Sequence, residues 1–486
     1  MLRGIAWAGL VLALVLAGCT GTRRFAVGGQ LTGLAAGRQL VLQNNGDDDL
    51  TLTEDGPFVF TTRLPDGSRY HVTVAHQPEG QTCFVARGEG VIQGANVRDV
   101  RVDCYVSGAL DPTFGEQGIF VYDAGGDEEA RDLAVAPGGR LLIVGARTPS
   151  GGRTRRTVWA LTADGALDPQ FGDAGIADDD PRTLSAGNAL RLSDGGFVYI
   201  AGERDGRLAV WRLESSGEPE PSWGLRTWLG SSAQDPTGYD LLEDPQQRVL
   251  VIGKYEDVMN LIPTSVLLRF LPDGNLDSGF GTSGAVLEPG EGHALALDAQ
   301  GRIVTAGSRL GKRALYRYDS SGQPDASFGT NGRVIATTAS EGRALALGED
   351  GSITVAGWLS NGNDLDLAVW RFGPDGSADT SFAGAGTFVY DAGGDERAYD
   401  LVLDGQGRLL VAGAATSAQG VDVLLLRLDP YGRPDPTFGT NGVVHIGSAG
   451  DELGYAVALD AADRILVAGF RSSNSGRDLA VWRVVP

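Results

Sequence analysis

Catalysis near neutral pH starts from a tuned base, nucleophile or metal ligand, and this chain carries few candidates. Its histidines are His71, His76, His293 and His445, and no two stand at H-x-x-x-H spacing, so a zinc enzyme is not expected. No Gly-x-Ser-x-Gly elbow or phosphate-cradling P-loop occurs in the sequence. His293 beside Glu291 is the most distinctive histidine–acid combination. Carboxylates are plentiful: 62 Asp and Glu stand against 40 Lys and Arg, for a formal charge of −22. Such acidity argues against a nucleic-acid partner, because phosphate needs a basic face. The acids gather in short runs, among them Asp127-Glu128, Asp395-Glu396 and Asp451-Glu452. Oxygen ligands of this kind suit calcium, yet no Asp-x-Asp-x-Asp-Gly loop with a closing Glu is present, so no cofactor or metal is expected beyond that one ion. A single cluster reverses the sign: Arg147, Arg153, Arg155 and Arg156 could meet an anionic sugar or a phosphate headgroup.

The elements that position these residues repeat. From residue 107 onward an aromatic residue recurs at Phe114, Phe171, Trp223, Phe280, Phe328, Phe382 and Phe438, each with an acid three residues earlier (Asp111, Asp168, Glu220, Asp277, Asp325, Asp379 and Asp435). An apolar run ends in glycine at Gly145, Gly202, Gly253, Gly307, Gly357, Gly413 and Gly469. Self-similarity of this period marks a repeat architecture. Each unit holds four strand-like runs, the first unit's being Ile119 to Tyr122, Asp132 to Val135, Leu141 to Val144 and Thr157 to Leu161, which is the propeller pattern. The motifs LDPTFG at Leu110–Gly115, PDASFGTNG at Pro324–Gly332 and PDPTFGTNG at Pro434–Gly442 resemble the delta-60 repeat of bacterial surface and secreted proteins. The resemblance implies a fold more than an activity.

Six units carry Arg on the fourth run, at Arg212, Arg269, Arg317, Arg371, Arg427 and Arg483, while the first has Ala160. In the first five of these the next acid lies eight residues on; Arg483 has no acid after it, and Asp111 has no Arg before it. Joining Pro486 to Ser107 restores the missing pair. A closed ring removes exposed strand edges, whereas an open stack leaves two ends. The expected fold is therefore all-β: a seven-bladed β-propeller with four strands per blade over 107–486, preceded by a β-sandwich. Arg483 is predicted to contact Asp111. The repeated Trp159, Trp211, Trp370 and Trp482 interchange with Leu and are predicted to pack in the core rather than to stack on sugars.

The chain opens with Arg3, an apolar run from Ile5 to Leu16 too short to span a bilayer, and Leu16-Ala17-Gly18-Cys19. This resembles the lipobox of bacterial lipoproteins. The resemblance implies a signal peptide over 1–18, cleavage before Cys19, attachment of lipid such as palmitate to Cys19, and a lipidated tether over 19–24; several acyl chains anchor stably where one is marginal. Thr20, in place of Asp, implies the outer membrane. Export implies an oxidising compartment, in which Cys83 and Cys104 are expected to pair. Period-two runs between Gln39 and Val102, separated by Asn45-Gly46, Asp55-Gly56 and Asp66-Gly67, predict a small β-sandwich domain over 25–105 that resembles immunoglobulin-like or transthyretin-like modules.

Variable loops on a rigid scaffold are where binding usually resides. The face that carries the first-to-second and third-to-fourth connections is both variable and acidic, and its candidate binding residues are Asp127, Glu128, Asp395, Glu396, Asp451, Glu452, Arg153, Arg155 and Arg156. The expected function is a membrane-anchored, non-catalytic, monomeric cell-envelope lipoprotein. Its propeller would be a binding scaffold for an envelope protein or glycan, spaced from the membrane by the sandwich. The alternative is a periplasmic or surface hydrolase or lyase with its site in the central funnel.

Overall fold

The computed structural model describes residues 23–230, 233–257, 262–448 and 450–486. The segment expected to be a signal peptide, and Cys19, therefore lie outside the described residues. The chain divides into two compact units, the second beginning at Val106. Among the described residues there is no α-helix, and none long and apolar enough to cross a membrane.

In the first unit two four-stranded sheets face each other, with a short ribbon of Arg24–Phe25 and Leu64–Pro65. Alternation builds the core: Leu40 and Leu42 are fully buried while Val41 and Gln43 are only partly covered. Phe58, Phe60, Val100 and Val102 close over them. Cys83 on Gln81–Ala86 is disulfide-bonded to Cys104 on Val100–Val106. The strand Gly28–Thr32, which runs parallel to Val100–Val106, has no period-two signature in the sequence.

The second unit is a propeller of seven four-stranded antiparallel sheets. Blade one comprises Asp127–Val135, Leu141–Thr148, Arg155–Leu161 and Ile176–Asp178, and the next five blades repeat this order. Blade seven takes Glu452–Leu459, Ile465–Ser472 and Arg477–Val484 and borrows Ile119–Tyr122 as its outer strand, in register Ile119↔Trp482 to Tyr122↔Leu479. The sequence unit is thus displaced by one strand from the blade. Ile119 to Tyr122 is not the first strand of its own blade, because closing the ring requires strands from both ends of the array to share a sheet. The Gly108 N–H donates to Val485 O and the Val485 N–H to Ala109 O, each at 2.8 Å.

The recurring motifs tie blade to blade. Each Phe of the Asp-x-x-Phe-Gly segments is fully buried. Arg483 Nε lies 2.9 Å from Asp111 Oδ2, its Nη2 donates to Thr113 Oγ1 at 2.8 Å, and its guanidinium sits 4.7 Å over Phe114. The same pairing holds Arg212 to Glu220, Arg269 to Asp277, Arg317 to Asp325, Arg371 to Asp379 and Arg427 to Asp435, at 2.8 to 3.3 Å. Where Ala160 replaces the Arg, Arg140 from a turn reaches Asp168 at 2.7 Å. Trp159, Trp211, Trp370 and Trp482 are all buried.

One steric fact shapes the channel. Every innermost strand carries a β-bulge, between Ala130/Asp132, Gly187/Ala189, Gly238/Asp240, Gly292/Ala294, Gly342/Ala344, Ala398/Asp400 and Gly454/Ala456. The bulge pushes a carbonyl toward the second strand, where a Cβ on Gly145 would lie 1.8 Å from Glu129 O and one on Gly469 1.7 Å from Leu453 O. That is why each second strand has glycine at this point.

Candidate functional site

The bulges set one extra residue per blade around the channel: Arg131, Asn188, Tyr239, His293, Arg343, Tyr399 and Tyr455. Together with Glu129 these seven line a cavity of about 350 Å³, inside the ~300–1,000 Å³ range of ligand pockets. The repeats are nearly alike on either side of this position, yet at it they carry four residue types: Tyr three times, Arg twice, and Asn and His once each. A ring of varied side chains on a repeated scaffold is the place where a specific site can be built.

Two arcs face each other. Over blades five to seven the rings of Trp358, Tyr399, Tyr455 and Phe470 follow one another with centroids 6.1, 5.1 and 6.1 Å apart, the first two pairs edge to face and the last tilted. Arg343 and Arg397 lie over Trp358 at 5.5 and 5.8 Å, and Arg477 lies over Phe470 at 4.6 Å. The opposite arc mixes polar side chains with one aromatic, Tyr239, whose ring centroid is 5.1 Å from that of His293. Arg131 Nη1 donates to Asn188 Oδ1 at 2.7 Å, and Asn188 Nδ2 donates to Gly238 O at 2.9 Å.

His293 joins the arcs. Buried at 5% exposure, it places Nε2 3.3 Å from Glu291 Oε2 and 3.0 Å from Glu341 Oε1. Arg343 Nη1 is 3.2 Å from both ring nitrogens, a position that lies over the ring face. Lys254 Nζ reaches Glu291 Oε1 at 3.0 Å. The hydrogen bond from His293, with Lys254 behind it, outweighs burial and holds the Glu291 carboxyl down at about 2. Burial pushes the Glu341 carboxyl up, but the His293 bond and the charges on His293 and Arg343 overcome it and leave it below its ordinary value. Glu291, His293 and Glu341 are close enough to share a metal ion. Arg343 and Lys254 already supply the positive charge there, so the three side chains do not call for a cation.

Beyond this ring, Arg191 of blade two bridges Asp132 of blade one and Asp240 of blade three at 2.8 Å to each. Asp132, Asp240 and Asp400 also accept the N–H groups of Leu190, Leu295 and Val457 on the next blades, which fixes the inner strands against one another. Burial first, then the nearby Asp132 charge, pushes the Asp400 carboxyl up to about 7.

The sequence-predicted face residues fare unevenly. Asp127 and Asp451 stay exposed and Asp395 is half-buried, but each accepts a backbone N–H from the preceding blade: Arg477 for Asp127, Val421 for Asp451 and Leu365 for Asp395, at 3.0 Å in every case. Glu128, Glu396 and Glu452 are corrected: they are buried beneath the blade links, where they accept the N–H groups of Ala124, Ala392 and Ser448, and a partner cannot touch them. Arg156 is corrected likewise, buried with its guanidinium 5.5 Å over Trp211. Arg155 and Arg147 both pair with Asp178, which leaves Arg153 as the exposed member of that cluster. Of the channel ring, the sequence reading had singled out His293 alone. The signal for the rest was a single variable position, flanked by Gly or Ala before and Ala or Asp after.

No curated protein matches this chain. Virginiamycin B lyase from Staphylococcus aureus is similar at 12% identity over 76% of this chain and 98% of that one, with a TM-score of 0.44. Sqt1 from Chaetomium thermophilum, bound to the N-terminus of ribosomal protein L10, is similar at 12% over 75% and 98%, with a TM-score of 0.42. The PQQ-bound aldose sugar dehydrogenase of Streptomyces coelicolor is similar at 14% over 75% and 98%, with a TM-score of 0.36. Within the propeller, residues 137–171, 248–280, 300–328, 349–382 and 407–438 match a family described as a domain of unknown function (DUF5122) beta-propeller.

Proposed function

We propose that the propeller binds an acidic, hydroxyl-rich saccharide at the mouth of its channel, and that the chain does so as a lipid-anchored outer-membrane protein of the cell envelope. The binding half of this reading is carried by the channel ring, whose aromatic arc faces an arc of Arg, Asn and His. Tyrosine and tryptophan rings offer apolar faces to a sugar ring, and their polar tips offer hydrogen bonds to its hydroxyls. Arg131 and Arg343 supply forked donors for a carboxylate. The anchoring half is supported by the sequence around Cys19 and Thr20. Titration calorimetry with a panel of uronic-acid oligosaccharides tests the binding: the Tyr399→Ala, Tyr455→Ala double variant is expected to lose about tenfold or more in affinity. Lack of wild-type binding to every acidic oligosaccharide would sink the reading.

A second reading is favoured by the placement of His293 between Glu291 and Glu341. On it the mouth is the site of a hydrolase or lyase, with His293 moving a proton. His293→Gln would then bind the oligosaccharide as wild type does but stop the release of cleaved product.

A further inference from the structure

We propose that Asp366, Asp391 and Glu396 form a calcium site that clamps the link between blades five and six, and that Asp123, Glu128 and Asp478 form its weaker twin where the ring closes. The sequence Phe-Val-Tyr-Asp-Ala-Gly-Gly-Asp-Glu occurs twice, at 120–128 and 388–396. Each copy leads from an outer strand into the next inner strand, and each meets one Asp on the third strand of the preceding blade. The blade architecture does not demand the extra acid. At the following junction Gly447 stands where Asp391 does, and a Cβ there would lie 1.8 Å from Asp422 Oδ1.

In both trios one oxygen from each carboxylate lies within 4.8 Å of the others. Two oxygens that each sit ~2.4 Å from one ion can be at most ~4.8 Å apart, and all three pairs in each trio meet that condition for sharing a calcium. Glu396 is fully buried; its Oε2 accepts the Ala392 N–H at 3.1 Å, and its Oε1 has no hydrogen-bond partner. Glu128 repeats this, with Ala124 on Oε2 and no hydrogen bond to Oε1. A buried, unpartnered carboxylate oxygen beside two further carboxylates is costly without a positive charge. Among the described residues, no Arg, Lys or His makes an ion pair with Asp366, Asp391 or Glu396. The twin has two distant cations, Arg147 at 3.7 Å from Glu128 and Arg471 at 4.0 Å from Asp478, which weaken its claim on a metal. The remaining bonds fix the ligands: Asn361 Nδ2 donates to Asp366 Oδ1 at 2.9 Å, and the Gly393 N–H donates to Asp391 Oδ1 at 2.8 Å. Burial lifts the Glu396 and Asp366 carboxyls above their ordinary values, as it does in an acid cluster lacking a counter-charge. An all-oxygen set with one exposed member, Asp391, leaves room for the waters that complete calcium's six to eight ligands.

Calorimetry and thermal unfolding of the purified, EDTA-treated protein in millimolar calcium test the proposal. Two binding events and a raised melting temperature are expected, with magnesium weaker by roughly tenfold or more. Asp391→Asn can still accept the Gly393 N–H on an exposed link, so it is expected to fold; it should lose the tighter event, and Asp123→Asn the weaker. Absence of calcium heat and of any melting shift in the wild type would overturn the proposal, leaving the trios to hold protons instead. Wild-type calcium binding by Asp391→Asn, or magnesium binding as tight as calcium, would overturn it too.

Discussion

Replacing Asp111 by Ala tests whether the repeated Arg–acid pair holds the ring shut. Asp111 is 1% exposed and Arg483 2%. The substitution leaves the Arg483 guanidinium with Ala163 O, Thr113 Oγ1 and the Phe114 ring, but without its counter-charge. Arg464, 3.6 Å from Asp111, loses the same partner and adds like-charge repulsion. Breaking a buried pair from one side costs ~3–5 kcal/mol. At ~1.4 kcal/mol per factor of ten, the closing junction should open about two to three and a half powers of ten more often. Amide hydrogen exchange reads this directly on Ile119–Tyr122 and Arg477–Val484, the two strands that meet at the closure. The matching change in a blade link elsewhere, Asp325→Ala, should leave those peptides protected. An Arg483→Met, Asp111→Asn double variant should regain most of the loss, since it removes both charges and keeps the volume. Closure peptides in Asp111→Ala that exchange at nearly the wild-type rate would refute the reasoning.

Three further outcomes follow from the same geometry. Asp400 holds its proton up to about 7 in the folded chain, well above its unfolded value; the native state therefore binds the extra proton, stability falls as pH rises toward and through 7, and Asp400→Asn should gain on the wild type in melting temperature from pH 5 to pH 9. Phe328→Ala empties a fully buried position packed against Trp370 and Val355, and denaturant unfolding should register a loss of ~3–5 kcal/mol. Removing the Cys83–Cys104 bond, whose partners are 21 residues apart, should destabilise the first unit by ~3 kcal/mol, read as a lower denaturant midpoint for its strands.

The ring was legible because its parts recur. Arg483 and Asp111 lie 372 residues apart and still make the pair that the other junctions make locally. What the repeat could not reveal was its phase: a period of four strands looks the same wherever it is cut, so Ile119–Tyr122 read as the start of a blade it does not join. The same blindness hid the channel ring. Arg131, Asn188 and Tyr399 share no chemistry, and only the bulge opposite each second-strand glycine makes them neighbours. Glu128 and Glu396 misled in a different way. Acids beside Gly-Gly turns read as a solvated rim, but the link's N–H groups draw those side chains inward, while the neighbouring Asp127 stays exposed and Asp395 half-exposed.

The central claim is that recognition belongs to the bulge ring at the channel mouth. Ligand-dependent hydrogen exchange, run on the protein with and without the tightest-binding acidic oligosaccharide, tests it most directly. Slowed exchange is predicted on the inner strands around Arg131, His293, Arg343, Tyr399 and Tyr455, with the tight turns after the inner strands, such as 136–140 and 348–352, unchanged. Protection gathered on those turns, with the ring exchanging as before, would contradict it.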